Sequence, residues 1–187
     1  RITEKAIEMA CGMIAGSDAD CDGNLLHENE ILTSERVRFA IDQYLLAENF
    51  ANPSSIIGGG PIAADCHNFG SGPLKTGSPV IVDVFPTSKA TRYCGDCTRT
   101  VVHGDIPDEV IRMHAAVAEA KRAGVNATRA GVTGESVHKA TIASIASSGF
   151  SVGLPGNEEL DTYCAMTHGT GHGIGLDVHE PPLLDFR

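Results

Sequence analysis

An α+β fold is the class this sequence predicts, on three observations. Apolar residues at helical spacing open the chain, short β-branched runs broken by Gly and Pro fill its middle, and two further helical segments precede a glycine-rich end.

Ile2, Ala6, Met9, Ala10 and Met13 recur on one helix face, and the helix runs into a turn-forming loop at 16–23. A second helix starts at Thr33 or Ser34, with Val37, Ala40, Ile41, Tyr44 and Leu45 as its apolar stripe, and ends near Asn49. Strands are expected at 54–57, 64–68, 79–85 and 93–102. Helices follow at about 107–123, with Pro107 in a favourable first position, and at about 134–147. The last residues return to glycine-rich loops and short strands.

With 187 residues and 42% hydrophobic content, the chain has the size of one domain with a sizeable core. Acidic residues outnumber Lys and Arg by 24 to 14, which argues against nucleic acid and anionic membrane as partners, since both reward a basic face. No apolar run approaches the roughly 20 residues of a membrane span, and no signal-peptide pattern opens the chain. Six scattered cysteines read as reduced thiols in a chain of this size, so a cytoplasmic setting is expected.

Asp83 interrupts the apolar run Val80-Ile-Val-Asp-Val-Phe85, where a buried carboxylate needs a cation or another partner. A structural pairing with Arg92 or Arg99 is the plain alternative. Thirteen residues on, Asp96 stands in a second strand-like run, Tyr93 to Val102. Two such carboxylates facing each other would repel unless divalent ions lay between them, and carboxylate oxygens suit such ions.

His168-Gly-Thr-Gly-His-Gly-Ile-Gly-Leu-Asp-Val-His-Glu-Pro-Pro182 carries three histidines, His168, His172 and His179, among four glycines. Core packing does not explain that composition, whereas glycine permits close backbone approach to a ligand.

Asp83 and, thirteen residues on, Asp96 at the head of Asp96-Cys-Thr-Arg-Thr100, followed by the His168 to Pro181 segment, resemble the pita-bread metallopeptidases: methionine aminopeptidase, aminopeptidase P and prolidase. The likeness spans nearly the whole chain and implies a pita-bread fold binding two divalent ions, with Mn, Co, Zn or Fe as the candidate metals. By motif, Asp83 resembles the bidentate ligand, Asp96 the bridging carboxylate and His172 the imidazole ligand. His179 resembles the histidine that steadies the tetrahedral intermediate, and His67, in Asp65-Cys-His-Asn-Phe69, a second substrate-contacting histidine. His168, four residues before His172, resembles the mark of the proline-directed members. The implied activity is that of an exopeptidase at Xaa-Pro bonds, with a peptide as substrate and a homodimer as an open possibility for assembly. The rival readings are a methionine aminopeptidase, a metal-free pita-bread module that binds peptides or proteins, and a creatinase-like relative.

The family completes its metal shell with two glutamates on strands after His-Glu-Pro, and 183–187 hold neither. Glu180 lies too close to His179 to be one of them. The chain, which starts on Arg1 inside a helical pattern, is therefore expected to be a single catalytic domain, 1–187, incomplete at both ends. By itself it should be inactive, with an aggregation-prone sheet edge. The Asp83 to Asp96 spacing is longer than usual in the family, which a turn insertion accommodates.

Two decoys are set aside. Asp18-Ala-Asp-Cys-Asp-Gly23 begins like a calcium loop but has Asn29 where a glutamate is needed. Cys94 and Cys97 on a strand would point to opposite faces. His27, His103, His114 and His138 are read as surface or satisfied structural histidines. Arg99 is expected to pair with a carboxylate near the metals.

Overall fold

The computed structural model describes residues 1–156 and 163–186. They group into two units, Arg1–Pro107 with Ile174–Val178, and Asp108–Gly173 with His179–Arg187.

In the first unit, helix α1 (Ile2–Ala15) buries Ala6, Ile7, Ala10 and Ile14, while Ile2, Met9 and Met13 pack at the margin of the same core. A small antiparallel meander follows, of β1 (Asp18–Ala19), β2 (Leu25–His27) and β3 (Glu30–Ile31). Helix α2 (Ser34–Ala47) begins where Thr33 Oγ1 accepts the Arg36 N–H at 3.3 Å, an N-cap satisfying one of the helix's orphan donors. Its stripe of Val37, Ile41 and Leu45 is buried. The short β4 (Phe50–Ala51) pairs with β7 (Thr87–Ser88).

The main sheet is antiparallel, with β6 (Pro79–Val84) between β5 (Ile56–Gly59) and β8 (Cys97–Val102). Val80, Val82 and Val84 of β6 are fully buried against the helices, each worth about 1.5–3 kcal/mol in area removed from water. Pro79, Ile81 and Asp83 alternate onto the other, half-buried face.

Three expectations need correction here. Residues 64–68 form no strand: a 3₁₀ helix, Gly60–Ala64, with Pro61 in its first turn, leads into a turn. There Asp65 Oδ1 accepts the His67 N–H at 2.9 Å and Asn68 Oδ1 accepts the Gly70 N–H at 3.0 Å, local bonds that compete with a sheet ladder. The strand expected at 93–102 begins only at Cys97, so Asp96 precedes it. Arg92 has φ 67°, the Gly95 N–H donates to the Pro86 carbonyl, and the Cys94 N–H donates to the Gly175 carbonyl, each at 2.8 Å, so the ladder cannot start earlier. Finally, Asp83 is half-buried rather than enclosed in the apolar core.

In the second unit, α3 (Asp108–Ala127), which ends four residues later than expected, packs on α4 (Gly134–Ser147). Close approach is possible because Gly124 lacks a Cβ: one placed there would lie 2.7 Å from Thr141 Oγ1. Thr133 caps α4 by accepting the Ser136 N–H at 3.1 Å. Two ribbons complete the unit: β9 (Ser151–Val152) parallel to β10 (Ala165–Met166), and β11 (Gly171–Gly173) antiparallel to β12 (Glu180–Leu184). Among the described residues no helix is long and apolar enough to cross a membrane.

Candidate functional site

Asp83 is held by the sheet register. Thr98 stands opposite it, and the Thr98 hydroxyl donates to Asp83 Oδ1 at 2.5 Å. Asp96 is exposed and lies two residues before Thr98, the interval at which an extended chain returns to the same face. Arg99 belongs to the other face: it pairs in register with the buried Val82, beside Cys97 and Val101, which pack on the core. Its guanidinium donates to the Thr98 carbonyl at 2.8 Å and to Cys97 Sγ at 3.2 Å. Alternation thus directs Arg99 away from the Asp83 face, contrary to expectation.

His67 is exposed on the turn described above. Its Nδ1 lies 3.8 Å from Cys66 Sγ, and candidate ligand atoms of Asp65, Cys66 and His67 all fall within 4.8 Å of one another.

The other three histidines belong to the second unit. His172 Nδ1 lies 2.9 Å from the Gly173 carbonyl and His168 Nδ1 lies 2.8 Å from the Gly169 carbonyl. A carbonyl only accepts, so both rings carry their proton on Nδ1, and the neutral ring keeps its lone pair on Nε2. Metal-bound histidines are commonly oriented in this way, by a second bond from the non-ligating nitrogen. His172 sits opposite Leu183 at a bulge in the β11–β12 ribbon. His179 immediately precedes β12 and meets the His172 ring edge-on, with centroids 4.3 Å apart and planes at 87°. Gly173 is required at that bulge, because a Cβ would approach the Pro181 carbonyl oxygen to 2.4 Å. At this position the glycine serves the closeness of the two strands.

Taken by residue type and unit by unit, Asp83 and Asp96 of the first unit offer hard carboxylate oxygens and His172 of the second offers an imidazole nitrogen, donor types that suit a first-row divalent cation. Several other polar side chains have local partners. Asp20 Oδ1 accepts the Asp22 and Asn24 N–H groups at 2.9 and 2.8 Å, organising a tight turn. Cys94 Sγ lies 3.5 Å from both Thr87 Oγ1 and the Leu176 carbonyl oxygen. All six cysteines are free thiols. His103 Nε2 donates to the Ser17 carbonyl at 2.8 Å, and its Nδ1 meets Thr76 Oγ1 at 2.8 Å. Buried His138 meets Thr170, inside the His168 to His172 segment, a link across 32 positions that the sequence did not signal.

Comparison with known proteins bears on the family of the chain as a whole. The profile of metallopeptidase family M24 matches residues 1–187. The "Probable dipeptidase PepE" of Mycobacterium tuberculosis is 34% identical over 154 residues, 81% of this chain and 38% of that protein. The X-Pro aminopeptidase of Thermotoga maritima superposes with a TM-score of 0.74 at 25% identity, covering 100% of this chain and 46% of that one. The Xaa-Pro dipeptidase of Bacillus anthracis gives 0.73 at 27%, covering 100% and 45%. The chain thus spans less than half the length of these relatives. The fold is the α+β pita-bread fold of those structures, and the chain belongs to metallopeptidase family M24.

Proposed function

We propose that this chain supplies most of the site of a metal-dependent exopeptidase that cleaves peptides near their N-terminus, next to proline. The observation carrying this reading is the orientation of His172, whose Nδ1–H is engaged by the Gly173 carbonyl, an arrangement that supports Nε2 as the ligating nitrogen. In this proposal Asp83, Asp96 and His172 hold two divalent ions of the Mn, Co, Zn or Fe class, and Thr98 steers one oxygen of Asp83. When bound, such ions lower the pKa of a shared water and polarise the scissile carbonyl. His179, against the His172 ring, donates to the developing oxyanion, while His168 and His67 contact the substrate and serve the leaving amine. His168 is what favours an Xaa-Pro substrate over the N-terminal methionine of a methionine aminopeptidase. Six free thiols are in keeping with a cytoplasmic setting.

The test is elemental analysis of the dialysed protein at its natural length, with assays on Xaa-Pro dipeptides and tripeptides beside Met-Ala-Ser. About two ions per chain, with Xaa-Pro turnover lost in Asp96→Ala, is the expected result. Turnover of Met-Ala-Ser alone would establish the methionine aminopeptidase reading. Neither metal nor turnover would leave a peptide-binding module.

A further inference from the structure

His138 is buried, 3% exposed, on the inner face of α4 with Val137, Thr141 and Ile145. A buried imidazole is costly unless its nitrogens are partnered. Its Nδ1 lies 2.8 Å from Thr170 Oγ1, and its Nε2 lies 3.8 Å from Asp185 Oδ1, just beyond β12. The Phe186 ring meets it edge-on with centroids 4.7 Å apart. One side chain of α4 therefore touches both the segment before β11 and the residues after β12.

Thr170 is held from other directions too. Its N–H donates to the Leu184 carbonyl at 2.8 Å, and its methyl would lie 3.5 Å from a Cβ placed on Gly124 of α3. Helix α4 also approaches the ribbon through Gly134, where a Cβ would fall 2.1 Å from the Leu183 carbonyl oxygen. Thr170 lies two residues from His168 and two from His172, so fixing its side chain constrains the backbone that carries both rings.

We infer that His138 is a positioning residue: through the Thr170 hydroxyl it holds the His168 to His172 segment so that both imidazoles keep Nδ1 on their own backbone carbonyls. The consequence for metal and peptide rests on the function proposed above; the consequence for ring orientation does not.

The test uses His138→Leu, His138→Asn and Thr170→Val in the protein at its natural length. Asn places an amide near the position of Nδ1 and is the rescuing variant, while Thr170→Val keeps shape and removes the hydroxyl. The first readout, imidazole ¹⁵N NMR without metal, should show His168 and His172 as Nδ1–H tautomers in the wild type and in His138→Asn, and as mixtures in the other two. The second, titration with Mn²⁺ alone, should show about tenfold weaker binding for His138→Leu and for Thr170→Val, with no further loss when they are combined. Should His138→Leu fail to fold, Thr170→Val alone decides. Unchanged tautomers in Thr170→Val would overturn the inference, even if thermal stability fell. A wild type that binds no Mn²⁺ and cleaves no peptide would instead refute the proposed function, and the tautomer readout would still judge His138.

Discussion

Thr98 faces Asp83 across the antiparallel pairing of β8 and β6, and its hydroxyl donates to Asp83 Oδ1 at 2.5 Å. A carboxylate pinned at one oxygen has lost much of its rotational freedom before any cation arrives, so the sheet has already met part of the ordering cost.

Replacing the hydroxyl should release that carboxylate. Thr98→Val is expected to weaken divalent-metal binding by about tenfold, and Thr98→Ser to restore most of it. Calorimetric titration of the two variants checks this, and equal affinities would show that the hydroxyl is irrelevant to the site.

The glycines of the β11–β12 ribbon should not be equivalent. At Gly173 a Cβ would meet the carbonyl oxygens of Pro181 and Glu180 at 2.4 and 2.8 Å, whereas at Gly171 it would meet Leu184 Cδ1 at an ordinary 3.5 Å. Gly173→Ala should cost about 1–3 kcal/mol and Gly171→Ala much less, as measured by denaturant unfolding.

Glu35 should make part of the stability pH-dependent. Hydrogen bonds to its carboxylate, first from its own backbone N–H and then from Thr33, hold its pKa below the ordinary value, with desolvation opposing them. The Gly72 N–H also reaches both oxygens, at 3.1 and 3.2 Å. With the folded pKa below the unfolded one, the contribution is complete above the ordinary carboxylate range and is lost as pH falls through the lowered value. Wild type should therefore melt above Glu35→Gln near neutrality, and the two curves should converge in acid. A gap that widened in acid would contradict the assignment.

The thiols should react in a set order. Burial pushes the Cys11 thiol up, against a smaller downward pull from Arg99, while Cys21 and Cys66 are exposed. Timed alkylation with mass spectrometry should find Cys21 and Cys66 modified first and Cys11 late.

Helices were the most legible part of this sequence. Thr33 could be read as the cap of α2, and Val37, Ile41 and Leu45 as its buried stripe, because capping and period act within a few residues. The alternation of β6 was legible as well, but its usual companion, the direction in which Asp83 points, depends on which face the helices cover. The turn at Asp65 to His67 is not legible in the sequence, because its bonds run from side chain to backbone, a pattern that composition does not reveal. Asp96 falls outside the strand its sequence suggests, because Cys94 and Gly95 before it give their N–H groups to Gly175 and Pro86, choices made by tertiary structure. The candidate histidines of 168–179 were found from spacing and glycine content, whereas their supports, Thr170 with His138 on α4, lie far apart in the chain.

Strand β6 has a ladder on both edges, with β5 on one side and β8 on the other, and Asp83 is bonded within it. In the language of hydrogen exchange, its amides can open only when the sheet itself comes apart, which puts them among the slowest in this unit. The turn at His67, whose bonds are local and solvent-facing, opens at little cost. A residue on β6 is therefore presented in one place for as long as the unit stays folded, while one on the turn can be rearranged without disturbing the sheet.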